Sequence, residues 1–97
     1  MPIRLHESAK REYLIAVRWY LSRSPTTAAR LIAAVADAQI RIRLHPSTFP
    51  ETIRPGYRYL VVKRFPYRLV YKEEGTEIVI YAVAHHKRRP EYWSRRT

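Results

Sequence analysis

A chain of 97 residues with 46% apolar side chains has room for one domain and one modest core, which argues against wholesale disorder. It contains no cysteine, which removes disulfide staples, thiolate zinc sites and a cysteine nucleophile and fits a reducing cytoplasm; no apolar run is long enough for a signal region or a membrane span. Nineteen basic residues against 8 acidic ones leave a net charge of +11, a self-repelling surplus that calls for a polyanionic or acidic partner.

Ile3 to His6 alternates apolar and basic residues and is expected to be a strand. Ser8 is expected to cap a helix running to about Arg23, with Tyr13, Ala16 or Val17, Tyr20 and Leu21 recurring as one apolar stripe. Ser24-Pro25 then restarts the chain, the serine as N-cap and the proline at the first helical position. The second helix spans Pro25 to Leu44, with Leu31, Val35, Ala38 and Ile42 along one face and Ile32 and Ala28 beside them. Arg30, Arg41 and Arg43 mark its wet side, and Pro46 ends it. Two helices joined so tightly make a hairpin.

Pro46 to Gly56 carries three prolines and reads as a connector. Strands are expected over Tyr57 to Arg64 and Tyr67 to Lys72, joined through Phe65-Pro66, and over Glu77 to Ala84 after a turn at Glu73 to Thr76. The last of these is almost continuously apolar and so belongs at the centre of the sheet, covered on both faces. Pro90 to Arg96 is a short terminal helix or an extended tail. One domain, 1–97, results: an α+β fold in the order β-α-α-β-β-β, its helical hairpin packed on one face of a small, mainly antiparallel sheet. Along Tyr67 to Lys72, the side chains of Tyr67, Leu69 and Tyr71 point one way and those of Arg68, Val70 and Lys72 the other. The second set leaves a partly basic sheet face that no helix covers, the natural place for function.

Three segments resemble the RelE/ParE superfamily of toxins from type II toxin–antitoxin modules. They are Trp19-Tyr20 leading into Arg23-Ser24-Pro25, the string Arg64-Phe65-Pro66-Tyr67-Arg68-Leu69-Val70-Tyr71, and Ala82 to Trp93 with its His85-His86-Lys87-Arg88-Arg89 cluster. With length, basicity and element order, the resemblance covers essentially the whole chain. It implies a cytoplasmic, growth-inhibiting toxin neutralised by a cognate antitoxin in a hetero-oligomer. RelE-like members cleave ribosome-bound messenger RNA, whereas ParE-like members poison DNA gyrase, and the shared fold does not separate the two. The Phe-Pro-Tyr-Arg and His-His-Lys-Arg-Arg-Pro strings are closer to chains grouped with ParE and plasmid-stabilisation proteins.

The resemblance also implies a site. Arg68 falls where RelE-like toxins carry a phosphate-contacting strand arginine, Arg88 matches a second arginine beyond the last strand, His86 lies near a catalytic histidine, and Tyr92 near a C-terminal tyrosine. Together these would form a metal-independent endoribonuclease, with His86 able to serve as acid or base near neutral pH. Arg64, Lys72, Lys87 and Arg89 would bind nucleic acid or antitoxin. Plainer roles stand beside these: Arg68 as a solvated strand residue or an antitoxin contact, the Lys87–Arg89 run as a solvated patch, Tyr92 and Trp93 as packing residues, and Glu51 as a distant candidate base. His85-His86 lacks a third ligand nearby, so neither metal nor cofactor is expected. A non-toxic basic RNA-binding module or a decayed toxin is the rival from another class, disfavoured by the missing phosphate loop and RNP-type aromatic strings.

Overall fold

The structure, a computed structural model, describes residues 1–97. Its elements are β1 (Ile3–Leu5), α1 (Glu7–Leu21), α2 (Pro25–Leu44), β2 (Tyr57–Val61), β3 (Tyr67–Glu74) and β4 (Glu77–His85). The sheet order is β1-β4-β3-β2, with β1 parallel to β4 and the other pairs antiparallel. The expected α+β order and the two-helix layer on the sheet are both present.

α1 is capped two residues earlier than expected. His6, not Ser8, stands at the N-cap, because β1 delivers it in an extended conformation and its Nδ1 accepts the Ser8 amide at 3.0 Å. Ala9, Tyr13, Ala16, Val17 and Tyr20 form the inward stripe of α1, while Leu21 is exposed. The two small residues, Ala9 and Ala16, let the helix lie close on β4. α2 begins as the sequence indicates, with Ser24 Oγ accepting the Thr27 amide and Pro25 opening the first turn. It buries Ala28, Leu31, Val35, Ala38 and Ile42, a 3.6-residue repeat, and leaves Ile32 exposed.

The β2–β3 connection is longer than the expected Phe65-Pro66 link. β2 stops at Val61, and Arg64 takes a left-handed backbone (φ 69°), which no strand tolerates. β3 and β4 close through Gly75-Thr76, with Gly75 at the positive φ that a two-residue hairpin requires.

β3 and β4 divide the interior into two cores. Leu69, Tyr71, Ile78, Ile80 and Val83 face the helices, whereas Val70, Val79, Tyr81, Ala82 and Ala84 face the other side. The switch in parity comes from a register shift: Val70 pairs with Ala82 but Tyr71 with Ile80, so Tyr81 is an extra residue on β4. Tyr81 and Ala82 therefore share the second face.

No helix covers that second face, as expected, but it is not bare. Residues after β4 form turns that fold back, and Trp93 (4% exposed) packs there with Tyr57, Val70 and Tyr81. Burying an indole on apolar neighbours stabilises by a few kcal/mol, enough to hold a short segment without regular structure. No helix is long and apolar enough to cross a membrane.

Candidate functional site

Folding back the C-terminal segment makes a cleft of ≈ 340 Å³ on the second sheet face. Tyr59, Val70, Ala84 and Trp93 give it apolar surface; Arg68, His86, Arg88 and Arg89 give it positive charge; Glu51 and Ile53 of the connector complete the rim. Arg68, His86, Arg88 and Tyr92, although spread over β3, the post-β4 turn and the terminal segment, thus line one cavity. Arg89 lines it too. Lys87 is exposed on the same turn, outside the lining. Arg64 and Lys72 lie elsewhere. Arg64 borders a separate groove with Tyr20, Arg30, Lys63 and Phe65, and Lys72 sits against Tyr57 at the far end of β3.

Two of the three cleft arginines are each held by an aromatic ring. The guanidinium carbon of Arg68 is 4.4 Å from the centroid of Tyr59, and that of Arg88 is 3.8 Å from Tyr92. None of Arg64, Arg68, Lys72, Lys87, Arg88 or Arg89 joins a salt bridge; the chain's four pair Arg4–Glu77, Lys10–Glu7, Arg58–Glu51 and Arg96–Glu12. With Glu91 as its one acid outside any salt bridge, the cleft presents a surplus of positive charge, two of its arginines preorganised by rings, a good arrangement for a carboxylate or a phosphate.

Its acid–base groups are more constrained. The Pro66 carbonyl accepts from the His86 amide at 2.9 Å and faces His86 Nδ1 at 3.2 Å. A carbonyl only accepts, so Nδ1 carries the proton in this contact and Nε2 is left as a free lone pair. His85 stacks on His86 (4.8 Å between centroids) and meets Tyr67 edge-on; its Nδ1 accepts the Lys87 amide. Burial, then the neighbouring His86 and Lys87 charges, pull the His85 pKa below that of a free imidazole. Glu51 is tied to Arg58 at 3.4 Å. Nowhere do three metal-ligating side chains converge.

Tyr92 offers the cleft its ring rather than its hydroxyl. The Oη atom donates to Glu12 Oε2 at 2.7 Å, and burial followed by this bond drives the phenol pKa far upward. The sequence reading missed Glu12 and Arg96, which anchor this segment, and Arg54, which lies 4.9 Å from the Tyr57 ring. Glu12 has a faint signal: it is one of two acids in α1, one turn along from Ala9 and before Ala16, at the margin of the buried stripe.

Comparison with known proteins gives two findings. The family described as "ParE toxin of type II toxin-antitoxin system, parDE" matches residues 3–90. A solved chain from "Chromosomal ParDE TA system from P. aeruginosa" superposes with a TM-score of 0.71 at 16% identity, over 88% of this chain and 95% of that one. At that identity the superposition speaks for the fold alone. No curated protein matches the chain.

Proposed function

Because the chain belongs to the ParE toxin family of type II toxin–antitoxin systems, we propose that it inhibits growth by protein contact with DNA gyrase and is silenced by a cognate acidic antitoxin. The observation that carries the choice of target is that Tyr92 and Glu51, two of the cleft's candidate proton carriers, are tied up in side-chain bonds. Metal-independent RNA cleavage needs a base for the 2′-hydroxyl and an acid for the leaving oxygen. Tyr92 has its hydroxyl engaged by Glu12 and Glu51 is paired with Arg58, so of the proton carriers the family resemblance implies only His86 keeps a free ring nitrogen, with Glu91 the remaining unpaired acid of the lining. Arg68, Arg88 and Arg89, by contrast, are fully available for electrostatic recognition.

The antitoxin reading follows from charge. A surplus of +11 with unpaired cations on the second sheet face favours an acidic chain laid along it, in which Lys72 and Lys87 would add flanking contacts, and Arg64 would be met only where that chain wraps to the helix side.

Ribosome-dependent RNA cleavage is the second reading, favoured by the free Nε2 of His86 in the same cleft as Arg68 and Arg88. Expression without antitoxin separates the two. Gyrase poisoning gives arrested growth, an induced DNA-damage response, intact transcripts and loss of supercoiling by purified gyrase. Cuts within translated codons, abolished by Arg68→Ala or His86→Ala, would transfer the assignment to RNA cleavage. Unimpaired growth would leave the non-toxic module or a decayed toxin.

A further inference from the structure

We infer that Glu12 is the positioning residue of the cleft: through the Tyr92 hydroxyl it fixes the ring that holds Arg88 in place. The inference rests on the reading of the cleft as the working surface of the toxin. Glu12 itself does not line the cleft. Its side chain is 15% exposed, under the folded-back terminal segment, and all its hydrogen-bonding capacity is used there. Oε1 accepts from the Val83 amide and from Arg96 Nη1, both at 3.0 Å; Oε2 accepts from Tyr92 Oη at 2.7 Å and from Arg96 Nη2 at 2.9 Å.

The backbone of β4 makes this junction possible. β1 ends at Leu5, opposite Ile80, so the outer edge of β4 runs on without a neighbouring strand. Just there, at the extra residue Tyr81, Arg96 Nη1 donates to the Tyr81 carbonyl at 2.8 Å and Glu12 receives the Val83 amide. One carboxylate thus joins α1, β4 and the terminal segment.

The consequence for the cleft passes through Tyr92. An arginine without an ion pair has several rotamers open to it, and holding one of them needs a rigid partner. Arg88 has one, the Tyr92 face at 3.8 Å, and that face is rigid because its hydroxyl is anchored. Glu12 is itself neutralised by Arg96, so the anchor adds no negative field to the cationic cleft. Trp93 already secures the segment by burial, which leaves the polar junction free to set the angle of the neighbouring ring.

The test uses the full chain and two mild variants. Glu12→Gln keeps an oxygen for the Val83 amide but loses the charge; Tyr92→Phe keeps the ring and deletes only the hydroxyl. The readout is the side-chain Nε–Hε resonance of Arg88, shifted in the native protein by the ring current of Tyr92. Both variants should return it toward that of a solvent-exposed arginine. The resonances of Arg68 over Tyr59 and Arg23 over Trp19 should stay put, since neither stack touches Glu12. Growth inhibition per folded molecule should fall roughly tenfold, as loss of a preorganised contact group does. An unmoved Arg88 resonance in both variants overturns the inference and reduces Glu12 to a fold staple. Should Arg88→Ala inhibit growth as well as the native chain, the cleft is not the working surface and the proposed function of the site falls; the Arg88 resonance still decides whether Glu12 positions it.

Discussion

Arg96 and Glu12 meet through two parallel contacts, Nη1 to Oε1 at 3.0 Å and Nη2 to Oε2 at 2.9 Å, across 84 residues of sequence. The side chains are 18% and 15% exposed, so solvent screens the pair only weakly. Removing one partner strands a desolvated charge. Arg96→Ala is therefore expected to cost about 3 kcal/mol, and the double variant with Glu12→Gln less than the sum of the single ones. Urea unfolding of the four chains gives the coupling energy; a coupling near zero would demote the pair to a surface contact.

Burial dominates the behaviour of the tyrosines. Tyr71 donates its hydroxyl to the Pro46 carbonyl at 2.6 Å and has its pKa pushed up to about 12; Tyr81, bonded to Glu74, and Tyr92 are pushed further still, and burial also raises Tyr13 and Tyr67. In each case the fold prefers the neutral phenol. The unfolded chain releases these protons near pH 10, so stability is lost as pH rises past about 10, and for Tyr71 the loss continues to about 12. Phenolate absorbance should accordingly rise in two phases, the second coinciding with loss of circular dichroism. A single phase complete before unfolding would contradict the buried hydroxyls.

His85 acts at the other end of the pH scale. Its pKa is lowered in the fold by burial and by His86 and Lys87, so the folded state binds its proton less readily than the unfolded chain. Stability from this group is complete above about pH 6.5 and is lost as pH falls from there through the folded value. The NMR titration of the His85 ring should show a midpoint below that of a free imidazole. His85→Asn should flatten the acid side of the stability profile.

The legible part of the fold was whatever local periodicity and punctuation encode. Ser24-Pro25 announces α2 to the residue, and the continuous apolar run from Ile78 to Ala84 places β4 at the centre. Likeness to a family points to Arg68, His86, Arg88 and Tyr92, and these four line one cleft. What stayed hidden depends on contacts between distant residues. The extra residue in β4 has no sequence signature, because Tyr81 and Ala82 both suit a buried strand. Glu12 looks like an ordinary helix acid until Arg96 arrives from the other end of the chain. His6 displaced Ser8 as the cap because β1 sets its backbone, which helix-capping preference alone does not reveal.

Whether the terminal segment lies on the sheet without a partner is decided by Trp93. The chain has two tryptophans in opposite settings: Trp93 is 4% exposed in the second core, and Trp19 is 51% exposed under Arg23. If the segment docks in the free protein, Trp93 emits at short wavelength and resists iodide, while Trp19 emits at long wavelength. Trp93→Phe should then leave only the long-wavelength, quenchable component. Trp93→Ala removes most of the apolar contact with Tyr57 and Val70 and is expected to cost about 3–5 kcal/mol by the usual scale for a buried aromatic. Because the same segment carries Arg88 and Tyr92, the loss should appear together with weakened growth inhibition. Two equally quenchable tryptophans in the isolated chain would mean that the cleft exists only when a partner holds it together.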